Sequence, residues 1–470
     1  MSKLDPDFRK TLDAAFHQAV NHLENLDQTS VAAIVDLATL RARINKPLAR
    51  AGVASEQVIH DLGEDVAGGL LGSAGGRFFG WVIGGALPAA VGADWLTSVW
   101  QQNSALYACS PAAAVVEETV GVWLKEILGL PSQASFALVT GCQMAHVTCL
   151  AAARHALLSH RGWDVESQGM FGAPAIRILS STECHGSFER AVRLLGFGQS
   201  QVKPLPVDDE GRLLAEPLEK ELKKDPVAPT LVLLQAGDIN IGAYDEFAKL
   251  IPIAKRYAAW VHVDGAFGLW AGASPRFKHL VKGIETADSW ATDGHKWLNV
   301  PFDSGFAFVA DTEAHRASLS IRASYLTHAA DARDQVDWNP EWSRRARGFP
   351  AYAALRQLGR DGVAELVERC CRHAHSLTTR IGALPGAEVL WEPTTNQGLV
   401  RFLEPTRYAA ESDHDRRTDA VIAAILKTGE AFFGGTTWRG RRAMRISVTN
   451  WRTTDTDVDR VVNAVAGVLR

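Results

Sequence analysis

Between Phe136 and Val309, short strand-like runs alternate with helical patterns, and no other feature constrains the fold of this chain as much. The runs are Phe136–Thr140, Ala175–Leu179, Thr230–Gln235, Trp260–Asp264, Ser289–Thr292 and Gly305–Val309. Helical patterns occupy 143–159, the stretch from about Gly186, and 245–258. Apolar strands separated by helices need cover on both sheet faces, which predicts an α/β fold with a mostly parallel central sheet. Gly305–Val309 is expected to turn back as a further strand. Ligands of such sheets sit beyond the carboxyl ends of the strands, so the residues that close each run are the first candidates for chemistry.

Two of these ends carry the strongest signal. Trp260-Val-His-Val-Asp264 closes on a carboxylate, which must be paired or neutralised if buried. The next run leads into Thr292-Asp-Gly-His-Lys296, followed by Trp297-Leu-Asn. A lysine that forms a Schiff base and an aspartate that holds a pyridinium nitrogen are the protein groups pyridoxal phosphate chemistry most needs. Alone, either has an ordinary explanation, a surface charge or a strand-end cap. Together, in this order, they favour the cofactor. The aspartate would contribute about 1.5–3 kcal/mol through a charge-assisted hydrogen bond. Lys296, partly buried beside a cationic ring, is expected to have a depressed pKa.

Other strand ends add candidates. In Thr140-Gly141-Cys142-Gln143, the glycine permits a sharp turn and the following helix offers amides to an anion, although such a turn is equally a plain connection. His185, in Cys184-His-Gly186, has an imidazole that can stack on a ring and handle a proton, or simply cap a helix. Asn240, in the loop Gly237–Gly242, can donate to a phenolic or carboxylate oxygen, or shape the turn.

Composition narrows the class. A chain of 470 residues suits two or three domains, and 47% hydrophobic with 22% charged residues is ordinary for a globular protein. A net charge of −4 argues against nucleic acid or a polybasic membrane patch as partner. The start, Met1 to Asp7, is polar and lacks a signal-peptide core, so a cytoplasmic location is expected. Six cysteines without CxxC spacing read as free thiols, and no metal site is expected. His373 and His375 are assigned to a polar helix face. The stretch Trp81–Trp100 has about the length of a membrane span. Pro88, Asp94 and glycines interrupt it, so it reads as a buried irregular segment near a pocket or interface. Phe78, Phe79, Trp81 and Trp100 are candidates for either lining.

Beyond the sheet, Asp5 and Pro6 start a helix that runs to about Leu26, and a second follows Ser55. A long helix runs from Ser110-Pro111 to Gly129-Leu-Pro131. After Ala354 the pattern changes to a helix at 361–383, strands Gly398–Phe402 and Ala443–Ser447, and a last helix after Thr454-Asp455. The expected organisation is a helical segment 1–85, a large α/β domain 86–355 and a small α+β domain 356–470.

Several motifs, in order, carry a family resemblance: Arg77-Phe-Phe-Gly-Trp81, Ser110-Pro-Ala, Glu183-Cys-His-Gly-Ser-Phe-Glu-Arg190, His262-Val-Asp-Gly-Ala266, Asp288-Ser-Trp, Gly294-His-Lys-Trp-Leu298 and Ser343-Arg-Arg-Ala-Arg347. From about residue 75 to the C-terminus the chain resembles the group II pyridoxal-phosphate-dependent decarboxylases, the group containing aromatic-L-amino-acid decarboxylase. That resemblance implies the PLP-dependent transferase fold of type I and a homodimer with its site at the subunit interface, wrapped by the N-terminal helices. It implies that Lys296 forms the Schiff base, Asp264 pairs with the ring nitrogen, Ala266 lies under the ring and His185 stacks above it. Gly141, Cys142 and Gln143 would cradle the phosphate, helped by Asp293, with His295 near the cofactor or the substrate carboxylate. Tyr325 would protonate the α-carbon, where aldehyde-forming relatives tend to carry Phe.

The chain departs from the family at Gln143-Met144, in the loop Asp238–Asn240, and in reading Asp-Gly-Ala at 264–266. Arg445 is a candidate carboxylate contact, or half of a structural ion pair. The implied activity is decarboxylation of an L-amino acid, most naturally an aromatic one. Two readings stand beside it: another enzyme of the same fold, such as an aldehyde synthase or carbon–carbon lyase, and a catalytically silent relative.

Overall fold

The computed structural model describes residues 5–321 and 332–470. Its centre is a seven-stranded sheet of β1 (Ser135–Val139), β2 (Arg177–Ser181), β3 (Val202–Leu205), β4 (Thr230–Gln235), β5 (Trp260–Asp264), β6 (Ser289–Asp293) and β7 (Gly305–Val309), in the order β1-β7-β6-β5-β4-β2-β3. Every pairing is parallel except the two made by β7, so β7 alone runs against the rest. β1, β4, β5, β6 and β7 are buried along their whole length. That is why they read as apolar runs rather than alternating ones. Separate apolar clusters pack on the two faces. Helix Cys142–Ser159 crosses one face, touching β1, β5, β6 and β7. Its N-terminus therefore points to the edge where β5 and β6 end.

A second sheet is antiparallel throughout, with β8 (Ala387–Trp391), β9 (Gln397–Phe402), β10 (Gly434–Trp438) and β11 (Arg441–Ser447) in the order β10-β11-β9-β8. Helix Glu411–Thr428 lies against β9 and β11. Helix Gly348–Gly382 bridges the two halves, so the expected boundary at 355 falls inside a helix. It is broken at Gly359, whose φ of 62° and ψ of −178° belong to glycine alone. The sequence pattern at 361–383 corresponds to the part beyond that kink.

Asp5 caps helix Pro6–Asn25 by accepting the Asp7 amide at 3.0 Å. Helices Leu37–Ile44 and Ser55–Val66 follow, the first without a clear sequence signal. From about residue 75 the chain leaves this helical group and crosses the small domain. The buried Arg77 guanidinium donates to the carbonyls of Glu430, Asp27 and Thr29, and the Phe79 amide donates to Phe432 O at 2.8 Å. Phe78 stacks on Phe432 at 4.5 Å and Phe79 on Phe433 at 5.3 Å. Both are core residues rather than pocket walls. Trp81 and Trp100 remain exposed. Pro88 does not interrupt an irregular segment; it occupies the first turn of helix Pro88–Trp100, where its missing N–H costs nothing. Among the described residues, no helix is long and apolar enough to cross a membrane.

Candidate active site

The edge formed by the ends of β1, β2, β4, β5 and β6 brings Asp264, Lys296 and the turn at Gly141 together. Asp293 organises the cluster. Its Oδ1 accepts the Cys142 amide at 2.6 Å, tying the end of β6 to the start of helix Cys142–Ser159. Its Oδ2 lies 3.1 Å from Lys296 Nζ. A carboxylate cannot donate to a phosphate, so in this geometry Asp293 braces the turn and holds the lysine. Close packing fixes the rest. A Cβ on Gly141 would stand 3.0 Å from His295 Cε1, and one on Gly305 would lie 2.4 Å from Gly141 Cα. From the other side, Gly84 abuts the lysine backbone, where a Cβ would fall 1.9 Å from Lys296 O.

Electrostatics sort the charges. Burial pulls the pKa of Lys296 down, but the adjacent Asp293, with Cys142 and Asp264 behind it, outweighs that and raises it. That depression was expected beside a cationic ring; the protein groups alone set the opposite direction, because two carboxylates face the amine. Burial pushes Asp264 up, yet His146 nearby outweighs it and holds the carboxyl well below its ordinary range. Asp264 Oδ1 accepts the Ala266 amide at 3.0 Å, and His146 Nε2 lies 3.5 Å from Oδ2. His146 was invisible to sequence reasoning. It sits one helical turn after Cys142 on an apolar helix, and nothing local marks it as a partner of Asp264.

The remaining candidates divide. His185 caps helix Gly186–Leu194, its Nδ1 taking the Ser187 amide at 3.2 Å, and the residue is exposed. Desolvation by the surrounding protein lowers its pKa, although Asp264 pulls the other way. His295 is also lowered by burial, against the pull of Asp293. Its Nδ1 accepts the Ser304 amide at 3.2 Å, and its ring packs on Phe302 at 4.4 Å. The Asn240 carboxamide oxygen accepts Thr436 Oγ1 at 2.8 Å, which ties its loop to β10. Among the described residues, no hydrogen bond joins Asn240 to Asp264 or Lys296. Arg445 is buried and donates to Ile239 O at 2.9 Å. Tyr325 lies outside the described residues.

Cys142, His146 and Asp264 place donor atoms within 4.8 Å of one another, a spacing a metal ion would also require. Burial pushes the Cys142 thiol far up, so without an ion the sulfur stays protonated. The trio's contacts are mutual instead, with Cys142 Sγ 3.5 Å from His146 Nε2 and 3.9 Å from Asp264 Oδ1.

The residues present fit pyridoxal phosphate. The site offers a primary amine, and a buried carboxylate kept ionised. It also offers a helix N-terminus at Cys142 whose cap Gly141 supplies no side chain. Gln143 Nε2, in the first turn of that helix, is buried without a partner among the described residues, as a donor reserved for an anion would be. Fold and site together define a pyridoxal-phosphate enzyme.

Comparison with known proteins agrees. The pyridoxal-dependent decarboxylase conserved domain matches residues 39–403, and the chain belongs to that family. It is a pyridoxal-phosphate-dependent amino-acid decarboxylase, a carboxy-lyase. It is 25% identical to an aromatic-L-amino-acid decarboxylase of Bacillus atrophaeus, across 94% of this chain and 91% of the relative. It is 27% identical to an L-2,4-diaminobutyrate decarboxylase of Rhizobium meliloti, across 81% of this chain and 75% of the relative. The structure of Oryza sativa TDC with PLP and tryptamine superposes with a TM-score of 0.92 at 23% identity, covering 100% of this chain and 99% of the other. These relatives differ in substrate, so likeness alone assigns the activity and not the side chain it acts on.

Proposed function

We propose that this enzyme decarboxylates an aromatic L-amino acid to its amine and carbon dioxide, working as a cytoplasmic homodimer. The observation that carries the substrate reading is a pair of exposed aromatic side chains on segments that touch the lysine. Phe302 is 63% exposed and packs on His295, the neighbour of Lys296. Trp81 is 52% exposed and stands three residues before Gly84, which abuts the Lys296 carbonyl. Flat apolar faces of this kind suit an aromatic side chain.

In this reading Lys296 holds the cofactor through Nζ, Asp264 pairs with its ring nitrogen, and Ala266 and His185 flank the ring. Gly141, Cys142 and Gln143 seat the phosphate, and Asn240 borders the site. When bound, pyridoxal phosphate supplies a cationic ring that takes up the electron pair left behind by carbon dioxide. The chain supplies position and protons. Asp293 stabilises a proton on Lys296 Nζ, so a neutral amine forms only when that ion pair opens. His295 is placed to orient the substrate carboxylate, and orientation decides which bond breaks. Tyr325 is the proposed donor of a proton from its hydroxyl to the substrate's α-carbon.

The dimer is supported by Phe8, Leu12, Phe16 and Leu23, all exposed on helix Pro6–Asn25. All six cysteines are free thiols, which supports a reducing compartment. One observation favours a second reading. The Arg445 guanidinium is buried but has no carboxylate within 4.0 Å among the described residues, so an acidic substrate has a cation to meet. Measuring kcat/KM across aromatic, acidic and basic amino acids separates the two. The aromatic reading expects the highest values for tryptophan, phenylalanine, tyrosine or their hydroxylated forms. A preference for acidic substrates that collapses in Arg445→Met would replace it with the second.

A further inference from the structure

Behind Asp264, away from Lys296, runs a line of polar groups that the chemistry above does not use. His146 Nε2 lies 3.5 Å from Asp264 Oδ2. His146 Nδ1 is 2.9 Å from His262 Nε2, and His262 Nδ1 is 2.9 Å from Ser289 Oγ. Trp260 Nε1 lies 2.9 Å from the same Ser289 Oγ. His146, His262 and Ser289 are each 0% exposed. The two imidazoles meet edge to face, their centroids 5.2 Å apart. Phe188 closes the line from the side, 6.1 Å from His146 and 6.3 Å from His262.

Donor chemistry gives this line a direction. An indole N–H only donates, so Ser289 Oγ accepts from Trp260 and has its own proton free to give to His262 Nδ1. A neutral His262 then carries its proton on Nε2 and donates it to His146 Nδ1. That leaves the His146 proton on Nε2, facing the carboxylate. The reverse assignment would point a lone pair of neutral His146 at Asp264, two electron-rich atoms across 3.5 Å. Burial supports neutrality, holding His262 down at about 3. With His262 neutral, His146 presents an N–H on Nε2 to Asp264 whether it carries one proton or two, and the Cys142 thiol and Ala266 amide face the other carboxylate oxygen.

We propose that His146 and His262 are positioning residues that keep Asp264 ionised and aimed at the cofactor's ring nitrogen, and so set the protonation of that nitrogen from behind. A buried carboxylate with only the Ala266 amide and a weak thiol donor would gain from taking up a proton itself. A protonated Asp264 would no longer stabilise a pyridinium. The polarised line makes that protonation unfavourable, and its fixed rings prevent the carboxylate from rotating. This inference rests on the assignment of Asp264 to the ring nitrogen, and the test separates the two.

The test uses holoenzyme loaded with pyridoxal phosphate carrying 15N in the ring, read by the nitrogen chemical shift and by the cofactor dissociation constant. In wild type the nitrogen is expected at the protonated, upfield position. In His146→Leu it is expected to move toward neutral pyridine, with cofactor affinity weakened about tenfold, the scale of one lost charge-assisted hydrogen bond. His146→Gln, which keeps a side-chain N–H, is expected to recover most of the shift. His262→Asn provides an independent probe should His146→Leu fail to fold, and is expected to move the signal in the same direction. A folded His146→Leu enzyme with the wild-type shift and an affinity within twofold of wild type would overturn the proposal. Asp264→Asn is the reference. If it leaves the nitrogen signal unmoved, the Asp264 assignment fails and the inference falls with it. If it moves the signal while His146→Leu and His262→Asn do not, only the inference fails.

Discussion

At the scale of single residues, the site is governed by what cannot be added to it. Gly84 belongs to a segment far from Lys296 in sequence, yet its missing side chain lets that segment lie against the lysine backbone. Gly84→Ala must displace one of the two backbones. A displacement of that kind near reacting atoms costs about a hundredfold in rate. Steady-state kinetics of Gly84→Ala should show that loss in kcat, and a kcat within twofold of wild type would contradict the packing described. Buried histidines set the acid response. His262 and His315 are held down at about 3 by burial, against an ordinary 6.5. Below pH 6.5 the unfolded chain takes up protons that the folded chain refuses. Stability is therefore full above that pH and falls as pH drops toward 3, by roughly 1.4 kcal/mol per pH unit for each histidine. His315 bonds to Ser135 Oγ at 2.7 Å and Trp338 O at 2.9 Å, away from the lysine cluster, so it can be tested separately. The fall in Tm between pH 7 and pH 5 should be smaller in His315→Gln than in wild type, and an equal fall would refute the assignment.

At the scale of elements, legibility followed burial. Strands covered on both faces were readable because their interiors are unbroken apolar runs, as in Leu231–Leu234 of β4. The edge strand β3, Val-Lys-Pro-Leu, was not. Two of its four residues face solvent, and proline is tolerated there because an edge strand has no neighbour on one side. β8 and β10 are only partly buried and were missed for the same reason. Asp264 and Lys296 were legible because their chemistry is distinctive, even in one dimension. His146 was not, because its significance lies wholly in a contact across the fold. Helix Gly348–Gly382 shows the limit for boundaries, since a domain join is a property of packing and the chain passes through it helically. The kink at Gly359 lies just before the stretch 361–383 that reads as a helix. Gly359→Ala should destabilise by about 1–3 kcal/mol through backbone strain, seen as a lower denaturation midpoint. An unchanged midpoint would mean that the kink relaxes freely.

At the scale of the whole molecule, helix Pro6–Asn25 packs on helix Ser55–Val66 yet leaves Phe8, Leu12, Phe16 and Leu23 exposed among the described residues. Replacing Phe8, Leu12 and Phe16 together by serine should shift the protein toward monomer in light scattering and lower its activity. A stable, fully active monomer, in the variant or the wild type, would refute the dimer. The site itself joins three parts of one chain. The large sheet supplies Asp264 and Lys296, the segment around Gly84 buttresses them, and the small sheet ties in the Asn240 loop through Thr436. The most direct test of what that assembly does is the stoichiometry of products from the best substrate in the amino-acid panel. It is read as carbon dioxide, amine, aldehyde and ammonia, for wild type, Lys296→Ala and Tyr325→Phe. The account predicts equimolar carbon dioxide and amine from wild type, none from Lys296→Ala, and, in aerated solution with dioxygen as the two-electron oxidant, aldehyde with ammonia appearing in Tyr325→Phe. Carbon dioxide production that survives in Lys296→Ala, or wild-type enzyme loaded with cofactor that yields aldehyde in place of amine, would contradict it.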